Sequence, residues 1–268
     1  MEDREEYQLR VEDIHLSFGG HKALNGISTG VRKGEVFSII GPNGAGKTCL
    51  LNCINRFYHP EKGSVILEGQ DISHLKPHAI AGLGIARTFQ NVELFGHMSV
   101  LDNIKLGAHV HLKSGFLSGG IYFGKSRKEE IGLRKHIEEK IIDLLEIEQI
   151  RKSIVHSLPY GLQKRVELAR ALAMKPKILL LDEPATGMNL EETEDIARFI
   201  LDINEEWKIT IILIEHDMGV VMDISDRVCV LDFGAKIAEG KPEEIRNNEH
   251  VIKAYLGEED ITYSRLGT

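Results

Sequence analysis

Eight consecutive residues, Gly41-Pro42-Asn43-Gly44-Ala45-Gly46-Lys47-Thr48, hold the densest chemistry in this chain. The glycines let backbone N–H groups approach an anion without Cβ clashes. A helix starting at Lys47 adds the partial positive charge of its N-terminus. Lys47 supplies a full positive charge, and the Thr48 hydroxyl suits Mg²⁺. The spacing fits G-x-x-x-x-G-K-[ST], a loop that cradles the phosphates of a nucleoside triphosphate. All eight residues are candidate nucleotide contacts, with Cys49 the next along the helix.

A second cluster matches it. Ile178-Leu179-Leu180-Leu181-Asp182-Glu183 reads as a buried strand ending in two carboxylates. Beside a phosphate loop, an Asp in that place orients Mg²⁺. The adjacent Glu can polarise the attacking water as a general base, a role worth roughly 10²–10⁴-fold. The two clusters together imply hydrolysis of ATP or GTP.

These groups need a scaffold. Val36-Phe37-Ser38-Ile39-Ile40 reads as the buried strand before the loop, and 47 to 57 as the helix after it. Residues 8 to 32, around Phe18-Gly19-Gly20, suggest two strands joined by a turn. Residues 63 to 75 suggest a hairpin or edge strand, and 77 to 83 a helix. Ile85 to Gln90 reads as a strand ending in a polar residue. Ile131, Ile137, Ile141, Leu144 and Leu145 recur at helical spacing, interrupted upstream by a glycine-rich loop at Gly115 to Gly124. Continuous apolar strands return at 178–182, 210–215 and 227–232. That order points to an α/β core with a mostly parallel, helix-covered sheet and a helical insertion at 97–160.

Composition sets bounds. The 268 residues are 42% hydrophobic and 28% charged, ordinary for a globular domain. A net charge of −8 argues against a general nucleic-acid binder. Three cysteines, Cys49, Cys53 and Cys229, are too few for a disulfide framework. Cys49 and Cys53, four apart, read as buried small hydrophobes more readily than as a redox pair. The charged start, Met1 to Glu6, has no signal-peptide core, and no apolar run approaches the ~20 residues of a membrane span. Any membrane connection is expected through a partner.

Five further segments resemble the ATP-binding subunits of ABC transporters over nearly the whole chain: Phe18, Gln90, Leu158 to Leu172, Pro184 to Asn189, and Ile214-Glu215-His216-Asp217. The resemblance implies a phosphate-loop (RecA-like) α/β core with an N-terminal antiparallel β subdomain and an inserted α-helical subdomain. The single ABC ATPase domain would span 1–268, with 1–96 and 161–268 as core, 97–160 as the helical part and about 240–268 as a C-terminal extension. It implies ATP and Mg²⁺ as cofactors. Phe18 would stack on adenine. Gln90 would sense γ-phosphate and Mg²⁺ and relay to a membrane subunit. Thr48, Gln90 and Asp182 would hold the metal. Glu183 would be the base and His216 the γ-phosphate switch. Gly161 would contact the ATP held by a second ATP-binding subunit.

The signature departs from the usual Leu-Ser-Gly-Gly-Gln. Pro159 replaces the serine, Tyr160 the first glycine and Leu162 the glutamine. The serine hydroxyl's bond to phosphate, worth about 1.5–3 kcal/mol, is therefore lost. Asn189 stands where Asp is usual. Leu117-Ser118-Gly119-Gly120 looks like the signature but lacks the helix that follows it. Phe18-Gly19-Gly20, Ala86 to Gln90, Leu94-Phe95, the long insert after Ala108, and Ala254-Tyr255-Leu256-Gly257 resemble the branched-chain (hydrophobic) amino acid uptake subfamily. Implied partners are integral membrane permease subunits docked at the Gln90 segment and helical part, a second ATP-binding subunit (homo- or heterodimer), and indirectly a substrate-binding protein, with no nucleic acid. The implied place is peripheral, on the cytoplasmic face of the inner membrane. Urea, amide or aromatic-acid uptake, lipopolysaccharide export, and a soluble non-transport ABC ATPase stay open as alternatives.

Overall fold

The computed structural model describes residues 7–111, 132 and 134–255. Two sheets organise the chain. The first is antiparallel, in the order β2-β1-β4-β5. It comprises β1 (Tyr7–Phe18), β2 (His21–Arg32), β4 (Lys62–Leu67) and the two-residue β5 (Gln70–Asp71). The expected turn at Gly19-Gly20 joins β1 to β2.

The second sheet has the order β10-β9-β3-β8-β7-β6. Its members are β3 (Val36–Ile40), β6 (Ile85–Arg87), β7 (Ile178–Asp182), β8 (Thr210–Ile214), β9 (Arg227–Asp232) and β10 (Ala235–Gly240). Neighbours from β6 to β9 pair in parallel, and β10 closes the edge antiparallel to β9. Every residue of β3, β7 and β8 is buried, which explains their unbroken apolar sequences. Their side chains alternate between two cores. Leu179, Leu181, Ile211 and Leu213 join one, while Phe37, Ile39, Leu180, Ile212 and Ile214 join the other.

Helices cover both faces. In chain order they are α1 (Lys47–Ile54), α2 (Pro77–Gly82), α3 (Val100–Gly107), α4 (Tyr160–Ala173), α5 (Leu190–Trp207), α6 (Met218–Ile224) and α7 (Pro242–Arg246). The α5 sequence places Ile196, Phe199, Ile200 and Ile203 at i, i+3, i+4 and i+7, one helix face, and all are buried in the first core. A capping box closes its start: the Asn189 side chain accepts from the Glu192 N–H, and the Glu192 carboxylate from the Asn189 N–H. Between α3 and α4 lies a helical turn, Ile137–Ile142, with π-type spacing. Ile137, Ile141 and Leu145 are buried there, as their spacing predicts.

Two expectations need adjustment, and one strand is new. The helix expected over 47 to 57 ends at Ile54, because Asn55 caps it and Arg56 turns left-handed at φ 65°. The strand expected to reach Gln90 ends at Arg87; Thr88 N–H still bonds Leu180 O at 2.9 Å, but the chain then leaves the sheet. Strand β10 was not anticipated, since Ala235–Gly240 shows no clean alternation of burial. The glycine-rich stretch at 115–124, the Leu117–Gly120 look-alike, Ile131 and Leu256-Gly257 lie outside the described residues. No helix among the described residues is long and apolar enough to cross a membrane.

Candidate functional site

The phosphate loop joins β3 to α1, and its shape depends on two glycines. Gly41 sits at φ 146°, where an added Cβ would lie 2.0 Å from Leu231 O. Gly46 sits at φ 100°, where a Cβ would lie 2.6 Å from Ala23 O. Only glycine fits both positions. The loop is thereby pressed against β9 and β2, and α1 begins directly after it with no acidic residue in its first turn. Lys47 is buried, and its Nζ donates to Gly41 O at 2.7 Å and Pro42 O at 3.0 Å.

An open cleft of about 340 Å³ follows the loop. Asn43, Gly44, Ala45, Gly46, Lys47, Thr48 and Cys49 line it, with Glu183 and His216 on one side and Phe18 on another. Phe18 is half exposed and braced edge-on by Tyr58, with ring centroids 5.1 Å apart. His21 and Ala23 also line the cleft, and sequence reasoning had not singled them out.

Three strand ends bring the remaining site residues together. Glu183 follows β7, His216 lies just past β8, and Gln90 comes three residues after β6. His216 Nε2 lies 2.6 Å from Glu183 Oε1, and Gln90 Nε2 donates to Glu183 Oε2 at 2.7 Å. The Thr186 hydroxyl reaches the same Oε2 at 3.3 Å. Glu183 adopts φ 53°, a left-handed backbone costing of order 1–3 kcal/mol for a non-glycine residue. Its N–H bonds Ile214 O at 2.9 Å, which holds the strained turn beside β8.

Two residues inside the quoted motifs, given no role by the sequence reading, hold this arrangement. The buried Glu215 carboxylate accepts from Ala185 N–H at 2.8 Å and His216 N–H at 3.0 Å, tying the turns after β7 and β8 together. Burial pushes its carboxyl above the ordinary range, against those backbone donors. Arg87 donates to Asp182 Oδ2 at 2.7 Å and to Asn52 Oδ1 at 2.6 Å. The Arg87 and Asp182 side chains are only 7% and 2% exposed. Asn52 lies on α1, so Arg87 joins the Asp182 strand end to the phosphate-loop helix. The signal for Arg87 was a charged residue at a strand end, but only the pairing of β6 beside β7 reveals its partner.

Asp182 Oδ1 also lies 3.4 Å from the Thr48 hydroxyl. A hydroxyl and a carboxylate oxygen at this separation suit Mg²⁺, which usually takes one or two protein oxygens plus phosphates and waters. Gln90 is held one residue along, its amide nitrogen donating to Glu183. Cys53 and Cys229 are buried thiols pushed up to about 12 by desolvation, which agrees with the packing reading. Cys49 is half-buried at the cleft.

Gly161 stands apart. It does not line the cleft, and an added Cβ there would lie 2.4 Å from Glu192 Oε1 of the α5 capping box. Tyr160, at the start of α4, is exposed and lies against Gly187.

A family model described as "ABC transporter" matches residues 24–186. A second, described as "Branched-chain amino acid ATP-binding cassette transporter", matches residues 235–261. The chain is 43% identical to the high-affinity branched-chain amino acid transport ATP-binding protein BraF of Pseudomonas aeruginosa, over 93% of this chain and 98% of that protein. It is similar to the crystal structure of the ADP conformation of an ABC transporter cassette, with a TM-score of 0.81 and 33% identity over 94% of this chain and 99% of that one. A dimeric cassette bound to ADP and inorganic phosphate matches with a TM-score of 0.74 and 25% identity, over 87% and 98% of the two chains.

Proposed function

The chain belongs to the ABC transporter ATP-binding family, and on that premise we propose that it powers an importer of branched-chain or other hydrophobic amino acids. The observation that carries the ATPase reading is Glu183, in the phosphate-loop cleft, bonded at once to Gln90 and His216. The amino acid class is supported by the similarity to BraF and by the match over 235–261.

The residues divide the work. The adenine lies over Phe18, where stacking needs the ring face that Tyr58 leaves free. The phosphates take the amides of the loop and of the first turn of α1. Lys47 exchanges its Gly41 and Pro42 carbonyls for phosphate oxygens. Mg²⁺, held by Thr48, Asp182 and Gln90, supplies charge neutralisation at the phosphates. A water oxygen bonds the γ-phosphorus while the bond to the bridging oxygen of ADP breaks. Glu183 takes the water's proton, and His216 holds the carboxylate while facing the γ-phosphate side. ADP and inorganic phosphate result.

Gly161 and the start of α4 complete the site of a second ATP-binding subunit, since they do not line their own chain's cleft. ATP then favours the closed pair only by its better contacts in that state, and hydrolysis removes them. The helical part over 97–160 and the residues after Gln90 transmit the change to integral membrane permease subunits. A substrate-binding protein acts through those subunits. The chain works peripherally, on the cytoplasmic face of the membrane.

The test compares the purified chain with Glu183→Gln. ATP binding is expected to persist, an ATP-dependent dimer to accumulate, and hydrolysis to fall roughly 10²–10⁴-fold. Brisk turnover in the variant would refute Glu183 as the base. Uptake of labelled leucine by cells carrying the variant, beside urea and an aromatic acid, separates the substrate classes.

A further inference from the structure

One face of α4 carries charge where a helix buried against a sheet would be expected to be apolar. Lys164, Glu167 and Arg170 recur every three residues. The Lys164 and Glu167 side chains are 3% and 2% exposed and lie 3.7 Å apart. Burying such a pair is justified only when further hydrogen bonds satisfy it. Those bonds all go to one backbone segment, the stretch that carries Gln90. Lys164 Nζ donates to Phe89 O at 3.0 Å and Gln90 O at 2.7 Å. Glu167 Oε1 accepts from Phe89 N–H at 3.3 Å and, more weakly, from Glu93 N–H at 3.5 Å. Arg170 donates to Glu93 O. Lys164 Nζ also lies 5.9 Å from the centre of the Tyr160 ring, the residue that replaces glycine in the signature.

We propose that Lys164, Glu167 and Arg170 are positioning residues that fasten the 89–93 segment to α4, so that Gln90 and the start of the signature helix move as one body. The role rests on the reading of Gln90 and Glu183 given above. The segment after β6 has left the sheet, and among the described residues the hydrogen bonds to its backbone from Phe89 to Glu93 come from this clamp. Gln90 reaches Glu183 only while its carbonyl stays on Lys164. Tyr160 extends the same connection to the helix start that a second subunit's nucleotide would meet. A pull on the segment from outside is therefore delivered both to the base and to the signature. Burial drives the Lys164 ammonium and the Glu167 carboxyl each toward its neutral form, so the clamp depends on its full set of backbone partners.

Amide exchange on the full chain without nucleotide tests the fastening directly. Glu167→Ala should speed exchange at Phe89 and Glu93 roughly ten- to a hundredfold, the range of a lost bond to a charged group, and leave β7 and α5 unchanged. Glu167→Gln, which keeps an acceptor, should restore protection. If Glu167→Ala does not fold, Lys164→Met with Glu167→Leu removes both charges at similar volume and carries the same measurement. Unchanged exchange at Phe89 and Glu93, or failure of Glu167→Gln to protect, overturns the clamp. Hydrolysis by Lys164→Met should fall about tenfold with ATP affinity unchanged, and the loss should vanish in a Gln90→Ala background. An equal loss in that background overturns action through Gln90. If the unaltered chain hydrolyses no ATP, the proposed function fails while the exchange result still judges the clamp.

Discussion

Replacing Arg87 by methionine isolates the buried pair that holds Asp182. Methionine keeps the length and apolar stem and removes the guanidinium. The Asp182 carboxylate, 2% exposed, then keeps the Thr48 hydroxyl at 3.4 Å, which is too long to replace an ionic bond of 2.7 Å. Removing one partner of a buried pair costs about 3–5 kcal/mol, because the other charge is stranded. The upper part of that range applies, since Asn52 Oδ1 loses its donor too. For a chain of this size, each kcal/mol shifts the thermal midpoint by about 2–4 °C, so the drop should be on the order of 10–20 °C. Calorimetry and urea unfolding without nucleotide measure it. The decisive comparison adds Asp182→Leu, which leaves two apolar groups where the pair stood and should recover most of the loss. A loss below about 1 kcal/mol in the single variant, or a deeper loss in the double, refutes the reasoning.

Gly161→Ala should cost about 1 kcal/mol by driving the Glu192 carboxylate out of the α5 capping box; urea unfolding should show that cost vanish in a Glu192→Ala background. Glu215 should give stability a slope with pH. Its carboxyl titrates above the ordinary 4.5 because it is buried, so the folded chain holds that proton more tightly than the unfolded one. The contribution is full below about 4.5 and is lost as pH rises through the folded value, and Glu215→Gln should flatten that part of the profile in urea midpoints measured from pH 4.5 to 7.

The catalytic strand ends were legible because central parallel strands need continuous apolar runs, and the polar residue that closes each run stands out. Ile178 to Leu181 followed by Asp182-Glu183, and Ile211 to Ile214 followed by Glu215-His216, announce themselves in this way. What one chain's sequence lacks is the order of strands in the sheet. Arg87 meets Asp182 across 95 positions only because β6 lies beside β7. The ending of β6 at Arg87 was illegible for a related reason. Thr88 to Gln90 read as strand in composition, but the Phe89 and Gln90 carbonyls are claimed by Lys164, more than seventy positions away. Likewise the resemblance gave Gly161 a role at a second subunit, but its tight fit against Glu192 depends on how α4 meets α5.

The edges of the two sheets bear on how this protein keeps company with other chains in a crowded solution. An open edge is a template on which foreign strands can polymerise. Here β5 offers two residues and β6 three, too few to seat a visiting strand. β10 carries Lys236 and Glu239 along its margin. The one long edge, β2, is obstructed where Asn25 N–H bonds Gly234 O and Thr29 bonds Glu239. Runaway β-stacking therefore has no starting point among the described strands, and a chain rich in Ile, Leu and Val stays available for reversible, face-to-face encounters.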